Sequence, residues 1–170
     1  IDDYASSSQF DDLRNPVRDA EAIAKELREM YAFETHVYTN KSRTEIFQIL
    51  RQWRERRFNE DDQLFIFFSG HGDFDDFTAK GYFVTHGNRA AQDGGYLDLS
   101  TLRNIITQIP CEHILLAIDA CYSGTIDERI AFKSGTPFKR PGDSSATERD
   151  RLIGTLLRND TRLVVTSGGK

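Results

Sequence analysis

Two apolar stretches of this chain each end in a small-residue turn that carries one reactive side chain. Phe65-Ile66-Phe67-Phe68 runs into Ser69-Gly70-His71-Gly72, and Ile114-Leu115-Leu116-Ala117-Ile118 runs into Asp119-Ala120-Cys121-Tyr122-Ser123-Gly124. A thiol with an ordinary pKa near ~8.5 is only partly ionised at neutral pH, so a nucleophilic cysteine needs an imidazole to take its proton or hold its thiolate. His71 is the candidate base and Cys121 the candidate nucleophile. Gly70 and Gly72 allow a substrate carbonyl to approach the main chain, which makes the N–H groups of Gly72 and Cys121 candidate oxyanion donors. Taken singly, each residue has an ordinary reading: a free cysteine is commonly a small buried hydrophobe, and a loop histidine needs no role. Together, at two glycine-flanked strand ends, they read as the dyad of a cysteine hydrolase.

For the two side chains to meet, both strands must lie in one parallel sheet, because such sheets gather binding groups beyond the carboxyl ends of their strands. The order of elements supports this. Asn15 before Pro16 opens a first helix, carried to Tyr31 by Val17, Ala20, Ala24 and Leu27 at helical spacing. Thr35 to Tyr38 is short and β-rich, and Ser42 with Glu45 forms a capping box for a second helix with Ile46, Phe47, Leu50 and Trp53 inward. Leu64 to Phe68, apolar at every position, predicts a strand at the sheet centre covered on both faces. Tyr82 to Thr85 and Gly94-Gly95-Tyr96-Leu97 predict a small hairpin over the sheet's C-terminal edge. Ser100 is the expected cap of a helix with Leu102, Ile105, Ile106 and Ile109 inward; Pro110 stops it and His113 to Ile118 forms the second apolar strand. Lys133 to Ser145 shifts to Gly, Pro, Ser and basic residues, an exposed loop open to proteolysis, followed by a helix over Glu148 to Leu157 and a strand over Arg162 to Thr166. Ile1-Asp2-Asp3-Tyr4 reads as the tail of a strand whose start is absent. The expected fold is α/β, a mostly parallel central sheet with helices on both faces.

Composition narrows the partners. At 170 residues, 38% hydrophobic and 29% charged, the chain reads as one globular domain. No apolar run approaches the roughly 20 residues that span a bilayer. A net charge of -5 with scattered Lys and Arg argues against a nucleic-acid footprint. Cys111 and Cys121 flank a strand that extends about 3.3 Å per residue, which disfavours a disulfide, and no signal peptide is visible, so a reducing, cytoplasmic setting is expected. His36, His86 and His113 lack metal-ligand spacing, so no metal site is expected and Cys111 reads as a buried thiol. A flavodoxin-like nucleotide-binding domain shares the sheet but would need a Gly-rich phosphate loop before the first helix, and there is none.

Ser69-Gly70-His71-Gly72 after an apolar strand, with Asp119-Ala120-Cys121-Tyr122-Ser123-Gly124 following, resembles the caspase-like cysteine peptidases and most of all their bacterial metacaspase or orthocaspase branch; the spacing of the two residues is part of the known signature. The resemblance runs from Asp2-Asp3-Tyr4 to Val164-Val165-Thr166-Ser167-Gly168-Gly169. It implies a caspase-like three-layer fold with a large-subunit core over 1–132, an inter-subunit linker over 133–147 and the start of the small-subunit region over 148–170, whose remainder would lie beyond Lys170. It also implies a His71–Cys121 dyad without a third residue. Animal caspases carry glutamine two residues before the nucleophile and bind a substrate aspartate with arginines; here that position is Asp119, so the charge preference should invert. In the metacaspase-like branch the matching aspartate lines an acidic pocket with an aspartate of the first helix and the serine two before the histidine, which correspond to Asp119, Asp19 and Ser69.

Two carboxylates converging in a partly desolvated pocket repel unless a cation enters, so cleavage after Arg or Lys is expected. The ordinary readings are a first-turn residue favoured by the helix dipole for Asp19, a buried strand-end residue for Asp119 and a loop-satisfying hydroxyl for Ser69. Asp73, Asp75 and Asp76 offer carboxylates for Ca²⁺, which some members of that branch require, but their spacing fits no Ca²⁺ loop and a solvated acidic loop is the simpler reading. Lys133, Lys139 and Arg140 lie where relatives are cut between subunits, and Lys170 is itself an acceptable residue before a scissile bond; these are the candidate processing sites. The expected function is a cysteine endopeptidase acting on proteins or peptides, the alternative a catalytically silent caspase-like scaffold or regulatory module.

Overall fold

The computed structural model describes residues 1–5, 7, 9–87, 95–121 and 161–167. Helix α1 (Pro16–Tyr31) begins on the proline, whose fixed φ and missing N–H suit a first turn, and ends where Ala32 turns left-handed (φ 57) and donates its N–H to the Leu27 carbonyl. Helix α2 (Arg43–Glu55) carries the capping box: the Ser42 hydroxyl accepts from the Glu45 N–H and the Glu45 carboxylate from the Ser42 N–H at 2.9 Å. Those hydrogen bonds from Ser42, joined by Lys41, hold the Glu45 carboxyl down to about 2.

Six strands and a third helix follow: β1 (Gln63–Ser69), β2 (Gly72–Asp75), β3 (Lys80–Val84), β4 (Tyr96–Asp98), α3 (Leu99–Ile106), β5 (His113–Asp119) and β6 (Thr161–Thr166). They form a parallel sheet ordered β1-β5-β6 and an antiparallel sheet ordered β2-β3-β4. Leu64, Ile114, Leu116 and Ile118 of the parallel sheet pack with Ile46 and Leu50 of α2, Leu102 and Ile106 of α3, and Phe83 and Leu97 of the smaller sheet. One core therefore joins the helices and both sheets, while α1 packs along β1.

The register aligns the strand tips. Ser69 is the partner of Asp119, the Gly70 N–H donates to the Asp119 carbonyl at 3.2 Å, and the Ser167 N–H donates to the Ile118 carbonyl at 3.1 Å. At the opposite end the Arg162 guanidinium donates to the carbonyls of Thr107, Ile109 and Cys111, just past the C-terminus of α3.

Several expectations are corrected. Among the described strands β5 is central and β1 lies beside it with one edge unpaired, so Phe65 to Phe68 are half-buried rather than enclosed on both sides. Thr35 to Tyr38 forms no strand; with α1, α2 and β1 it walls a cavity of about 600 Å³. Ile1 to Tyr4 is likewise not a strand, although the Ile1 amino group donates to the Ser69 carbonyl at 2.7 Å. Asp98, not Ser100, caps α3, because its carboxylate accepts the Thr101 N–H at 2.9 Å while the Ser100 hydroxyl merely supports that carboxylate. The hairpin is a three-stranded sheet whose first strand begins at Gly72. The expected linker 133–147, the helix over Glu148 to Leu157 and Gly94 lie outside the described residues.

Candidate active site

Parallel pairing of β1 with β5 delivers the segments after Ser69 and after Asp119 to the same sheet edge. The two segments approach each other through their backbones. A Cβ placed on Gly72 would lie 1.8 Å from the Cys121 carbonyl oxygen and 3.2 Å from its nitrogen, so only glycine lets the chain carrying the thiol pass beside the residue that follows His71. Gly70 has the same kind of reason: its Cβ would lie 2.6 Å from the Tyr4 hydroxyl.

That hydroxyl organises the histidine. Tyr4 is 1% exposed, its Oη accepts the His71 N–H at 2.9 Å and donates to the Val84 carbonyl at 3.3 Å. Burial pushes the phenol up to about 12. The Tyr4 ring meets the His71 imidazole edge-on at 4.7 Å between centroids, and Phe10 lies 5.1 Å away on the same ring. His71 Nε2 is 2.9 Å from the Asp11 carbonyl oxygen. A carbonyl only accepts, so Nε2 carries the hydrogen and Nδ1 is the basic nitrogen of the neutral ring.

The same register bears on the candidate oxyanion donors. The Val84 N–H donates to the His71 carbonyl at 2.9 Å, which makes Gly72 and Phe83 a non-hydrogen-bonded antiparallel pair. The β2–β3 ladder therefore leaves the Gly72 N–H unused. Cys121 is an exposed free thiol, while Cys111 is buried, its Sγ 3.3 Å from the carbonyls of Asp62 and His113. Burial pushes the Cys111 thiol up, as expected of an inert structural cysteine.

Of the candidate substrate-binding residues, Ser69 and Asp119 are brought together as register partners. Asp119 is exposed, contrary to the buried strand end expected from sequence, because it occupies the last position of β5 with its side chain at the sheet tip. The Ser167 hydroxyl donates to its Oδ1 at 2.5 Å. Asp19 is exposed in the first turn of α1, and among the described residues no hydrogen bond or ion pair engages its carboxylate. Among the described residues no hydrogen bond or ion pair joins Asp19 to Ser69 or Asp119.

Of the acidic stretch after the histidine, only Asp76 is an exposed turn residue. Asp73 and Asp75 lie in β2, and Asp75 closes the β2–β3 turn by accepting from the Phe77 and Thr78 N–H groups and the Thr78 hydroxyl. Among the described residues no group of three or more His, Cys, Asp or Glu side chains is arranged to hold a metal ion. His36 pairs with Glu34, His86 Nδ1 lies 3.0 Å from the Asp3 carbonyl, and His113 is buried at the far end of β5. Lys133, Lys139, Arg140 and Lys170 lie outside the described residues. No described helix is long and apolar enough to cross a membrane.

Sequence reasoning passed over Tyr4, Phe10, the Asp11 carbonyl and Ser167. A backbone carbonyl leaves no mark on residue type, and Tyr4 and Phe10 reach His71 across more than 60 residues of chain. Ser167 did carry a signal: it directly follows the strand expected over Arg162 to Thr166. The cavity beside β1 is lined by Ser69 at its border with this site, but by neither His71 nor Cys121. In comparisons with known proteins, a family model described as a caspase domain matches residues 1–160. No curated protein and no solved structure matches the chain.

Proposed function

We propose, since the chain belongs to the caspase-domain family of cysteine peptidases, that it is an endopeptidase cleaving after Arg or Lys through Cys121 and His71. The observation that carries this reading is the Gly72–Cys121 backbone contact, which sets the thiol-bearing residue against the residue after the histidine. His71 Nδ1 takes the thiol proton, and the Cys121 thiolate attacks the carbonyl carbon of the scissile peptide. The Gly72 and Cys121 N–H groups receive the oxyanion. As the tetrahedral adduct collapses, the C–N bond breaks and Nδ1–H returns its proton to the leaving amine. Water then attacks the thioester with His71 as base, releasing the acid and restoring the thiol. The Asp11 carbonyl does the orienting work that a third side chain performs in a triad, holding Nε2–H so that Nδ1 stays basic.

The exposed carboxylate of Asp119 at the strand tip, with Ser69 beside it, supports a preference for a cation before the scissile bond. Asp19 supplies the second negative charge once a basic side chain bridges the two. The chemistry as written needs no metal. Self-processing at Lys133, Lys139, Arg140 or Lys170 fits the same preference, and the remaining small-subunit segment would complete the walls of the cleft. The resemblance to the metacaspase or orthocaspase branch supports an Arg/Lys rather than an Asp preference.

The test is hydrolysis of fluorogenic peptides ending in Arg, Lys, Asp or norleucine, by the wild type and Cys121→Ala, with and without Ca²⁺. Turnover of the Arg and Lys peptides by the wild type alone supports the proposal. Absence of turnover, together with no adduct at Cys121 from an arginyl chloromethyl ketone, leaves the silent scaffold. C-terminal mass spectrometry of both proteins reads self-processing, since identical ends would remove it.

A further inference from the structure

We infer that Ser167 is a specificity-positioning residue, fixing the Asp119 carboxylate for the substrate's basic side chain; this rests on the Arg/Lys reading above. Asp119 ends β5 and is exposed, so a free carboxylate there would sample several rotamers and lose entropy on binding a cation. Ser167 stands directly across from it, one residue past the Ile118–Thr166 pair, on the same face of the sheet. Its hydroxyl donates to Oδ1 at 2.5 Å. That single bond occupies one lone-pair site, settles the carboxylate plane, and leaves Oδ2 and the outer side of Oδ1 to a guanidinium or ammonium.

The β5–β6 ladder that brings the hydroxyl there is also braced at the other end of β6. Arg162 grips the carbonyls of Thr107, Ile109 and Cys111, and a slip of one residue would turn Ser167 to the opposite face. Ser167 also follows the stretch expected to be cut between subunits, so the geometry makes recognition of the basic side chain depend on β6 being seated beside β5.

The experiment compares the full chain with Ser167→Ala, Ser167→Thr and Asp119→Asn on peptides with Arg, Lys or norleucine before the scissile bond. Ser167→Ala should raise KM for Arg and Lys substrates roughly 5- to 10-fold with kcat within about twofold. The norleucine substrate should be indifferent to it, and Ser167→Thr, which keeps the hydroxyl, should restore KM. If the wild type shows no preference for Arg or Lys over norleucine, the underlying reading fails. If that preference is present and Asp119→Asn removes it, but Ser167→Ala leaves KM unchanged or weakens all three substrates equally, the Ser167 inference alone is overturned. Failure of Ser167→Thr to rescue would overturn it too, since it would assign the effect to strand packing.

Discussion

Gly72 and Cys121 touch through their backbones, with the Cys121 carbonyl oxygen standing where a Cβ of residue 72 would be. This contact leaves no room for a side chain between the two strand extensions at position 72. Gly72→Ala must push the Cys121 carbonyl away by more than an ångström, and displacements of that size at a reacting centre cost on the order of 100-fold in rate. The expected outcome is a loss of kcat/KM of about 100-fold or more and an equally slowed labelling of Cys121 by a peptidyl chloromethyl ketone. An alanine variant with wild-type labelling kinetics would show that the contact is incidental.

His71→Ala removes the proton carrier while leaving its backbone bond to Tyr4 available. General acid–base catalysis by one side chain contributes about 100- to 10,000-fold, and a drop in kcat within that range is expected. Circular dichroism and thermal unfolding should stay close to the wild type, because the ring is half-buried and its Nε2 bond to the Asp11 carbonyl is exposed.

Tyr4 adds a pH signature. Its folded pKa of about 12 lies above the ordinary value of 10.0 because burial opposes the phenolate. Between those values the unfolded chain has released the proton that the folded chain still holds, so stability is unaffected below about pH 10 and falls as pH rises toward 12. Tyr4→Phe should flatten that alkaline limb in urea unfolding measured from pH 8 to 11. The same variant loses the acceptor for the His71 N–H, and kcat should fall while KM holds.

Where one residue's environment is set by its own neighbours in sequence, the chain was readable. The capping box at Ser42 and Glu45, the proline start of α1 and the apolar strands before His71 and Cys121 all follow from local pattern, and the structure contains each of them. What escaped depends on distant segments. Thr35 to Tyr38 has strand-forming residues, yet strand formation needs a neighbour and among the described residues no strand pairs with it. Asp73 and Asp75 looked like a solvated run because their pairing with Tyr82 and Lys80 arises only when β3 folds back. The site divides in the same way: the identities of His71 and Cys121 were legible, whereas the Tyr4 hydroxyl and the Asp11 carbonyl that hold His71 act from a segment with no motif of its own.

Arg162 offers the last prediction, because it ties β6 to the fold from the end remote from the chemistry. Its guanidinium donates three hydrogen bonds to the carbonyls of Thr107, Ile109 and Cys111, in the segment that follows α3. The side chain is half-buried, so water satisfies these carbonyls only in part once it is gone. Arg162→Met keeps the aliphatic stem and deletes the donors; at about 1.5–3 kcal/mol for a hydrogen bond to a charged group, and less than additively for three on one fork, a loss of about 2–4 kcal/mol is expected. Arg162→Lys should recover only part of it, since an ammonium cannot span three carbonyls in the planar geometry of the fork. Urea midpoints measured in a Cys121→Ala background, where proteolysis cannot confuse the signal, provide the check, and equal midpoints for all three proteins would show that β6 is held by its ladder with β5 alone.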